Sequence, residues 1–309
     1  MSFKSILKPA LWLFSLFALL CASIVFAAPI TVQHYKGSLT LPQTPTRVVV
    51  IGQASLDVID ALGVEPVGVV KSLLPSYLAK FSAEKYQAIG NPMEPDFEAI
   101  YSLKPDLIIA ENRLEPVYDK LAAIAPTYMF YTRNGHYWED TQQNWKNLAT
   151  IFSKKNQLDS IVKSMSSRID SIYQKNKTAP ESLLMVMNNG SNLAGFGADS
   201  RYSFVFDELG FKLAESKNVP VKAGRHGNVI SFEYIADAKP DAIMVIDREQ
   251  AIGKSEGKAK SLFDNKLIAA TPAAKNKHIV FANATAWYLA AGGIHATEMM
   301  LDDAAKALN

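Results

Sequence analysis

The sequence predicts an α/β protein of two pseudo-symmetric lobes with mostly parallel sheets, joined by one long helix. A duplicated segment, strands alternating with helices in both halves, and a long amphipathic run free of glycine and proline carry that prediction.

The duplication is the most specific of these. DFEAIYSLKPDLIIAENR, Asp96 to Arg113, returns without a gap as SFEYIADAKPDAIMVIDR, Ser231 to Arg248. Each copy reads as one unit: a capping side chain (Asp96, Ser231), a short helix, a Lys-Pro-Asp turn that cannot continue the helix, and a buried apolar strand. Two copies imply two similar lobes.

Around the first copy, RVVVIG reads as a strand, SLDVIDALG as a helix ended by Gly63, and VEPVGVV as the next strand. SLLMVMNNG, SFVFDELG, KHIVFAN and a final helix through HATEMMLDDAAKAL do the same around the second. Such alternation predicts a parallel sheet in each lobe. From His136 to Ala179, apolar residues such as Trp145, Leu148, Phe152, Leu158, Met165, Ile169 and Ile172 recur at three- and four-residue steps. That spacing predicts a single helix of roughly 30 to 35 residues, about 50 Å long. The boundaries are therefore residues 28–137 for the N-terminal lobe, 138–178 for the linking helix and 179–309 for the C-terminal lobe. One stiff helix is a poor hinge, so closure should be small and the cleft largely formed beforehand.

Residues 1–27 have the makings of a cleaved export signal: Lys4 and Lys8, an uncharged run from Leu11 to Phe26, and a small-residue exit at Ala27. Cys21, the only cysteine, falls inside it and follows Leu20, where a lipid-attachment site would want a small residue. Without Lys4 and Lys8 the formal charge falls from +2 to zero, so no basic excess suggests nucleic acid or an anionic membrane surface.

Ligands of open parallel sheets bind beyond the carboxyl ends of the strands. Arg113 and Arg248 both stand just after the repeated strand, aimed at one cleft unless each pairs locally with Glu111 or Asp247. A third arginine, Arg201, follows the turn GFGADS, which lacks the endings of a phosphate loop or dinucleotide fingerprint. Two more loops could bear a ligand atom: AGRHGN, with His226 between glycines, and AWYLAAGG, with Trp287 and Tyr288 at a strand end. No nucleophile elbow or HExxH motif is present. What remains is donors for an anion, with one imidazole and one phenol suited to a hard or borderline metal.

The repeated FEAI and KPDLII unit, the linking helix and the export signal resemble substrate-binding proteins of iron-siderophore ABC importers, with their helix-linked two-lobe fold. The resemblance is strongest to the periplasmic ferric-catecholate binders, through GADSRYSFVFDELG, GRHGN, VIDREQAIG and WYLAAGG. It implies that Arg113, Arg201 and Arg248 hold catecholate oxygens, and that His226 and Tyr288 ligate the Fe(III) of the bound siderophore. It further implies that Glu98 and Glu233, one per lobe, dock an inner-membrane ABC permease. Trp287, Tyr202 and Phe196 are expected to line the cleft and stack on catechol rings. The expected form is a free periplasmic monomer, with no permanent cofactor and no catalysis. Haem or corrinoid binding on the same fold, a siderophore esterase, and direct binding of zinc or manganese are the rival readings.

Overall fold

A computed structural model describes residues 28–216, 227–254 and 257–308. After an antiparallel pair, β1 (Ile30–His34) and β2 (Gly37–Leu41), the first half contains β3 (Val48–Ile51), α1 (Gln53–Ala61), β4 (Gly68–Val69), β5 (Gln87–Ala88), α2 (Phe97–Ser102), β6 (Leu107–Glu111), α3 (Tyr118–Ala122) and β7 (Thr127–Phe130). Helices α4 (Tyr137–Ile151) and α5 (Lys155–Thr178) lead to the second half. That half has β8 (Ser182–Asn189), β9 (Asn192–Phe196), α6 (Phe204–Asp207), β10 (Lys212–Leu213), β11 (Asn228–Ile230), α7 (Phe232–Ala238), β12 (Ala242–Asp247) and α8 (Arg248–Ala251). Further on come β13 (Ile279–Phe281), α9 (Ala284–Tyr288) and α10 (Ile294–Ala305). No helix among the described residues is long and apolar enough to cross a membrane.

The first sheet runs β5-β4-β3-β6-β7, all parallel. The second runs β11-β9-β8-β12-β13, with β10 also on β8, and it departs from the expected parallel sheet. Strand β9 is antiparallel to β8, and β11 is antiparallel to β9. The cause is local: Asn189 pairs with Asn192 across a two-residue turn whose Gly190 has φ 64, which returns the chain beside itself.

The duplicated segment folds the same way twice. Asp96 accepts from the Ala99 N–H and Ser231 from the Tyr234 N–H, capping α2 and α7. Both helices end at a lysine in the left-handed region, Lys104 at φ 48 and Lys239 at φ 47, just before the proline that bars another turn. The aspartate that follows ties the unit to its neighbouring strand. Asp106 accepts from the Arg47 N–H at 2.8 Å, and Asp241 accepts from the Ser182 N–H at 3.0 Å and its hydroxyl at 2.6 Å. Strands β6 and β12 are thereby registered against β3 and β8 at equivalent positions.

Burial explains why these strands read as continuous apolar runs. Val48, Val50, Leu107 and Ile109 face one core that also takes Leu183, Met185, Ala242 and Met244 from the second sheet, with Trp145, Leu148, Leu158 and Met165 between. The alternating residues turn to a separate cluster on each outer face: Val49, Ile51 and Ile108 on the first sheet, Leu184, Val186 and Ile243 on the second. Both faces of each sheet are covered, as parallel strands require.

The linking segment is two helices, not one. The expected continuous helix over 138–178 breaks at Ser153, whose φ of 56 is left-handed, and the Lys154 N–H closes back on the Ala149 carbonyl at 2.7 Å. Phe152 is buried at the break, so the apolar stripe continues through it although the backbone does not. This is a helix-ending motif usually built on glycine. Ser153→Gly should therefore raise stability by about 0.5 to 1 kcal/mol, since it removes a Cβ from a left-handed residue. A denaturant midpoint that stayed put or fell would contradict this account of the break.

Candidate functional site

Arg113, Arg201 and Arg248 gather round one tyrosine. Strand β6 ends at Glu111 and β12 at Asp247, so Arg113 and Arg248 leave their sheets at equivalent points, Arg113 in a 3-10 turn and Arg248 as the first residue of α8. Arg201 arrives from the loop between β9 and α6. Nη2 of Arg113 donates to the Tyr288 carbonyl at 3.3 Å and Nη2 of Arg201 to the same oxygen at 3.0 Å. Nε of Arg248 donates to the Tyr288 phenol at 2.9 Å, and its Nη1 to the Asn189 side-chain carbonyl at 3.0 Å. All three guanidinium carbons lie within cation–π reach of the Tyr288 ring, at 5.7, 5.1 and 5.6 Å from its centroid.

The carboxylates that end the two strands have partners of their own. Asp247 is occupied as the cap of α8, accepting from Gln250 N–H and, 12 residues on, from Ala259 N–H. Glu111 accepts from the Ser55 N–H and hydroxyl, both at 2.8 Å; burial pushes its carboxyl up, opposed by Ser55 and by the nearby Arg113 charge. Among the described residues, neither Arg201 nor Arg248 is ion-paired to a carboxylate. Three guanidiniums held this close repel one another unless an anion lies between them, which is the electrostatic setting of an anion site.

The arginines and Tyr288 form part of the wall of a cavity of 950 Å³. Residues from both halves line it, Ser72, Asn91 and Arg113 from the first, Asn189, Phe196 and Arg248 from the second. A small chamber of 110 Å³ adjoins, sharing Arg113, Arg201 and Tyr288 and adding Glu111, Thr132 and Tyr137. The larger space is of the size that encloses a drug-sized ligand.

Tyr288 is fixed from behind. Asn283 caps α9 by accepting from the Ala286 N–H at 3.0 Å. The buried carboxylate of Asp303 on α10 accepts from the Asn283 N–H at 2.7 Å and from the Trp287 indole at 3.1 Å. Beyond Tyr288, the Trp145 indole donates to the Gly292 carbonyl at 2.7 Å and the Gly292 N–H to the Tyr137 phenol at 2.8 Å. The segment read as a ligand-bearing loop is thus a short helix and turn, held at both ends.

Two aromatics expected at the cleft are placed elsewhere. Trp287 and Tyr202 are fully buried, 6.1 Å apart between ring centroids, and neither lines the cavity; Phe196 is buried too but does line it. Tyr202 supports Arg201, whose guanidinium carbon is 5.1 Å from its ring centroid. In sequence, an aromatic at a strand end looks the same whether it faces a ligand or the core. His226 lies outside the described residues, as does the proposed export signal with Cys21. Glu98 and Glu233 occupy the same exposed position in the first turns of α2 and α7. Asp303, Asn189 and Asn283 were not anticipated; only Asn283, a capping residue before a helix start, left a readable signal.

The profile of the periplasmic binding protein family matches residues 48–286. Among curated relatives, the petrobactin-binding protein YclQ of Bacillus subtilis is 32% identical over 90% of this chain and 88% of its own. The ferric-anguibactin-binding protein FatB of Vibrio anguillarum is 32% identical over 90% of this chain and 87% of its own. The crystal structure of the periplasmic catecholate-siderophore binding protein VctP from Vibrio cholerae superposes with a TM-score of 0.85 at 42% identity, covering 90% of this chain and 99% of that one. With a fold shared along nearly the whole described length and a family profile spanning both sheets, the chain belongs to the periplasmic binding protein family.

Proposed function

We propose that this protein captures a ferric catecholate siderophore in the cavity between its two sheet-centred lobes and delivers it to an ABC permease, without catalysis. The observation that carries this reading is the convergence of Arg113, Arg201 and Arg248 on Tyr288 at the wall of one cavity. Catecholate oxygens on iron make a compact, multiply charged anion, and forked guanidiniums bind such oxygens better than ammonium groups do. The relatives' siderophore-binding names point the same way.

Iron bound by two catecholates has four oxygen donors and room for two more. In this proposal the phenol of Tyr288 supplies one, with Arg248 beside it to offset the charge of a metal-bound phenolate. His226 would supply the other, on its sequence setting alone. A tris-catecholate leaves no vacancy and would rest on the arginines. Tyr288→Phe should therefore shift the visible iron-ligand absorption of the bis-catecholate complex and leave that of the tris-catecholate complex unchanged. Identical bis-catecholate spectra would remove Tyr288 from the iron shell.

The reading is tested by quenching of intrinsic fluorescence across ferric bis- and tris-catecholates, a ferric hydroxamate, haem and cobalamin. Catecholates should bind most tightly; preference for haem or the hydroxamate would overturn the cargo assignment. Export through a cleaved signal at residues 1–27 and docking through Glu98 and Glu233 complete the proposal. Reversing both glutamates to lysine should abolish siderophore-dependent uptake in cells while the purified protein binds its cargo normally. Normal uptake would end the docking role.

A further inference from the structure

Large apolar side chains left in water are unfavourable, and three of the exposed ones among the described residues share one cavity wall. Leu73 is 36% exposed, Met93 64% and Val229 88%, and all three line the arginine-walled cavity. Ile252 and Met187 continue the apolar surface from the second half. The cavity therefore carries two chemistries in its lining, guanidiniums gathered round Tyr288 and uncharged hydrocarbon.

Specific contacts hold the two apolar residues of the first half in place. The side-chain carbonyl of Asn91 accepts from the N–H groups of both Met93 and Glu94 at 2.9 Å, folding a tight turn that presents Met93 outward. Gln53, buried at the start of α1, donates to the Ser72 carbonyl at 3.0 Å and fixes the loop before Leu73. Leu73 itself sits at φ 58, a left-handed conformation that a branched bulky residue adopts only when its surroundings demand it. Its Cδ2 lies 3.6 Å from where a Cβ would stand on Gly253, so it reaches the second half just beyond Ile252. Gly253 is also left-handed, at φ 66, which favours the one residue without a Cβ at that contact.

We propose that Leu73, Met93, Val229 and Ile252 form a subsite for an uncharged hydrocarbon spacer linking the cargo's catechol groups, so that the protein selects amphiphilic chelates over equally charged ones with polar spacers. This rests on the siderophore reading above and adds to it which part of the ligand is recognised away from the iron. The arginine end cannot tell two chelates of equal charge apart; an apolar wall can, because displacing water from it is favourable only for a spacer that does not itself need water.

The test uses two synthetic ferric bis-catecholamides of matched length and charge, one with a polymethylene spacer and one with an oligo-ether spacer, titrated by fluorescence quenching. Wild type should bind the polymethylene chelate about tenfold more tightly. The double variant Leu73→Ser, Met93→Ser should bring that ratio close to one by weakening the polymethylene chelate. Equal affinity of wild type for the two chelates, or a ratio unchanged in the variant, would overturn the subsite, as would a variant that loses both chelates alike. Binding of neither chelate by wild type would instead bring down the siderophore reading and the subsite with it.

Discussion

Arg201→Ala should raise the dissociation constant for a ferric catecholate by about thirtyfold or more, corresponding to the roughly 2 kcal/mol or greater cost of truncating one partner of an enclosed charged contact. The guanidinium of Arg201 bridges the Tyr288 carbonyl and the Tyr202 ring, so its loss removes a positive charge and a wall of the cavity together. A ferric tris-catecholate, the more anionic cargo, should lose more affinity than a bis-catecholate. Arg201→Lys should recover only part of the loss, because an ammonium is a point donor without the planar fork. Added salt should weaken wild type more than the alanine variant, since part of the attraction is screened. Fluorescence titrations at two ionic strengths check all of this. An alanine variant with wild-type affinity for both cargoes would show that Arg201 does not act on the ligand.

The second large effect concerns stability. Asp57 on α1 has a fully buried side chain, yet its carboxylate accepts from the Tyr77 phenol at 3.1 Å, from the His295 N–H and Nδ1 at 2.9 Å each, and from the Ala296 N–H at 2.9 Å. It thus sits on the N-terminus of α10, where a negative charge is favoured, and joins the first half of the chain to the last helix. The approach is so close that a Cβ on Gly293 would fall 2.3 Å from the carboxylate oxygen. Asp57→Ala would strand several donors away from water and should cost about 3 to 5 kcal/mol. For a chain of this size that lowers the melting temperature by on the order of 10 °C. A loss below about 1 kcal/mol by chemical denaturation would mean that the contact does not hold the halves together.

The same cluster sets a pH dependence. Its bond to Asp57 first, then the Asp57, Glu298 and Asp60 charges, hold the His295 imidazole above its ordinary 6.5 against partial burial. The Tyr77 ring packs beside it, 5.7 Å between centroids. Because the charged imidazole is favoured in the folded state, its contribution is complete below 6.5 and is lost as pH rises through the raised folded value. His295→Gln should flatten the fall in stability above that point. An unchanged slope in denaturation curves across the neutral range would assign it to another group.

Much of the fold was legible because its signals are local. A capping oxygen at Asp96 or Ser231, a proline that bars a helical turn, and an apolar run long enough for one strand act within a few residues of themselves. Copied twice, they marked the duplication and put Arg113 and Arg248 at equivalent strand ends. The antiparallel β9 was in principle legible too, since a Gly-Ser pair, Gly190 and Ser191, forms its two-residue turn. The end of α4 was not, because Ser153 takes up the left-handed conformation with neither glycine nor proline to announce it.

By itself, then, the sequence determined the α/β class, the repeated unit and the residue types of an anion site. Only the tertiary structure decided what each side chain meets. Arg113, Arg201 and Arg248 find Tyr288 across 175, 87 and 40 residues of chain, and Asp57 finds His295 across 238. Trp287 and Tyr202 turned inward while their neighbours Tyr288 and Arg201 line the cavity. The reason is physical: caps and turns depend on bonds to near neighbours, whereas the partner of a guanidinium or an aromatic ring is set by how distant elements pack, which no short window of sequence contains.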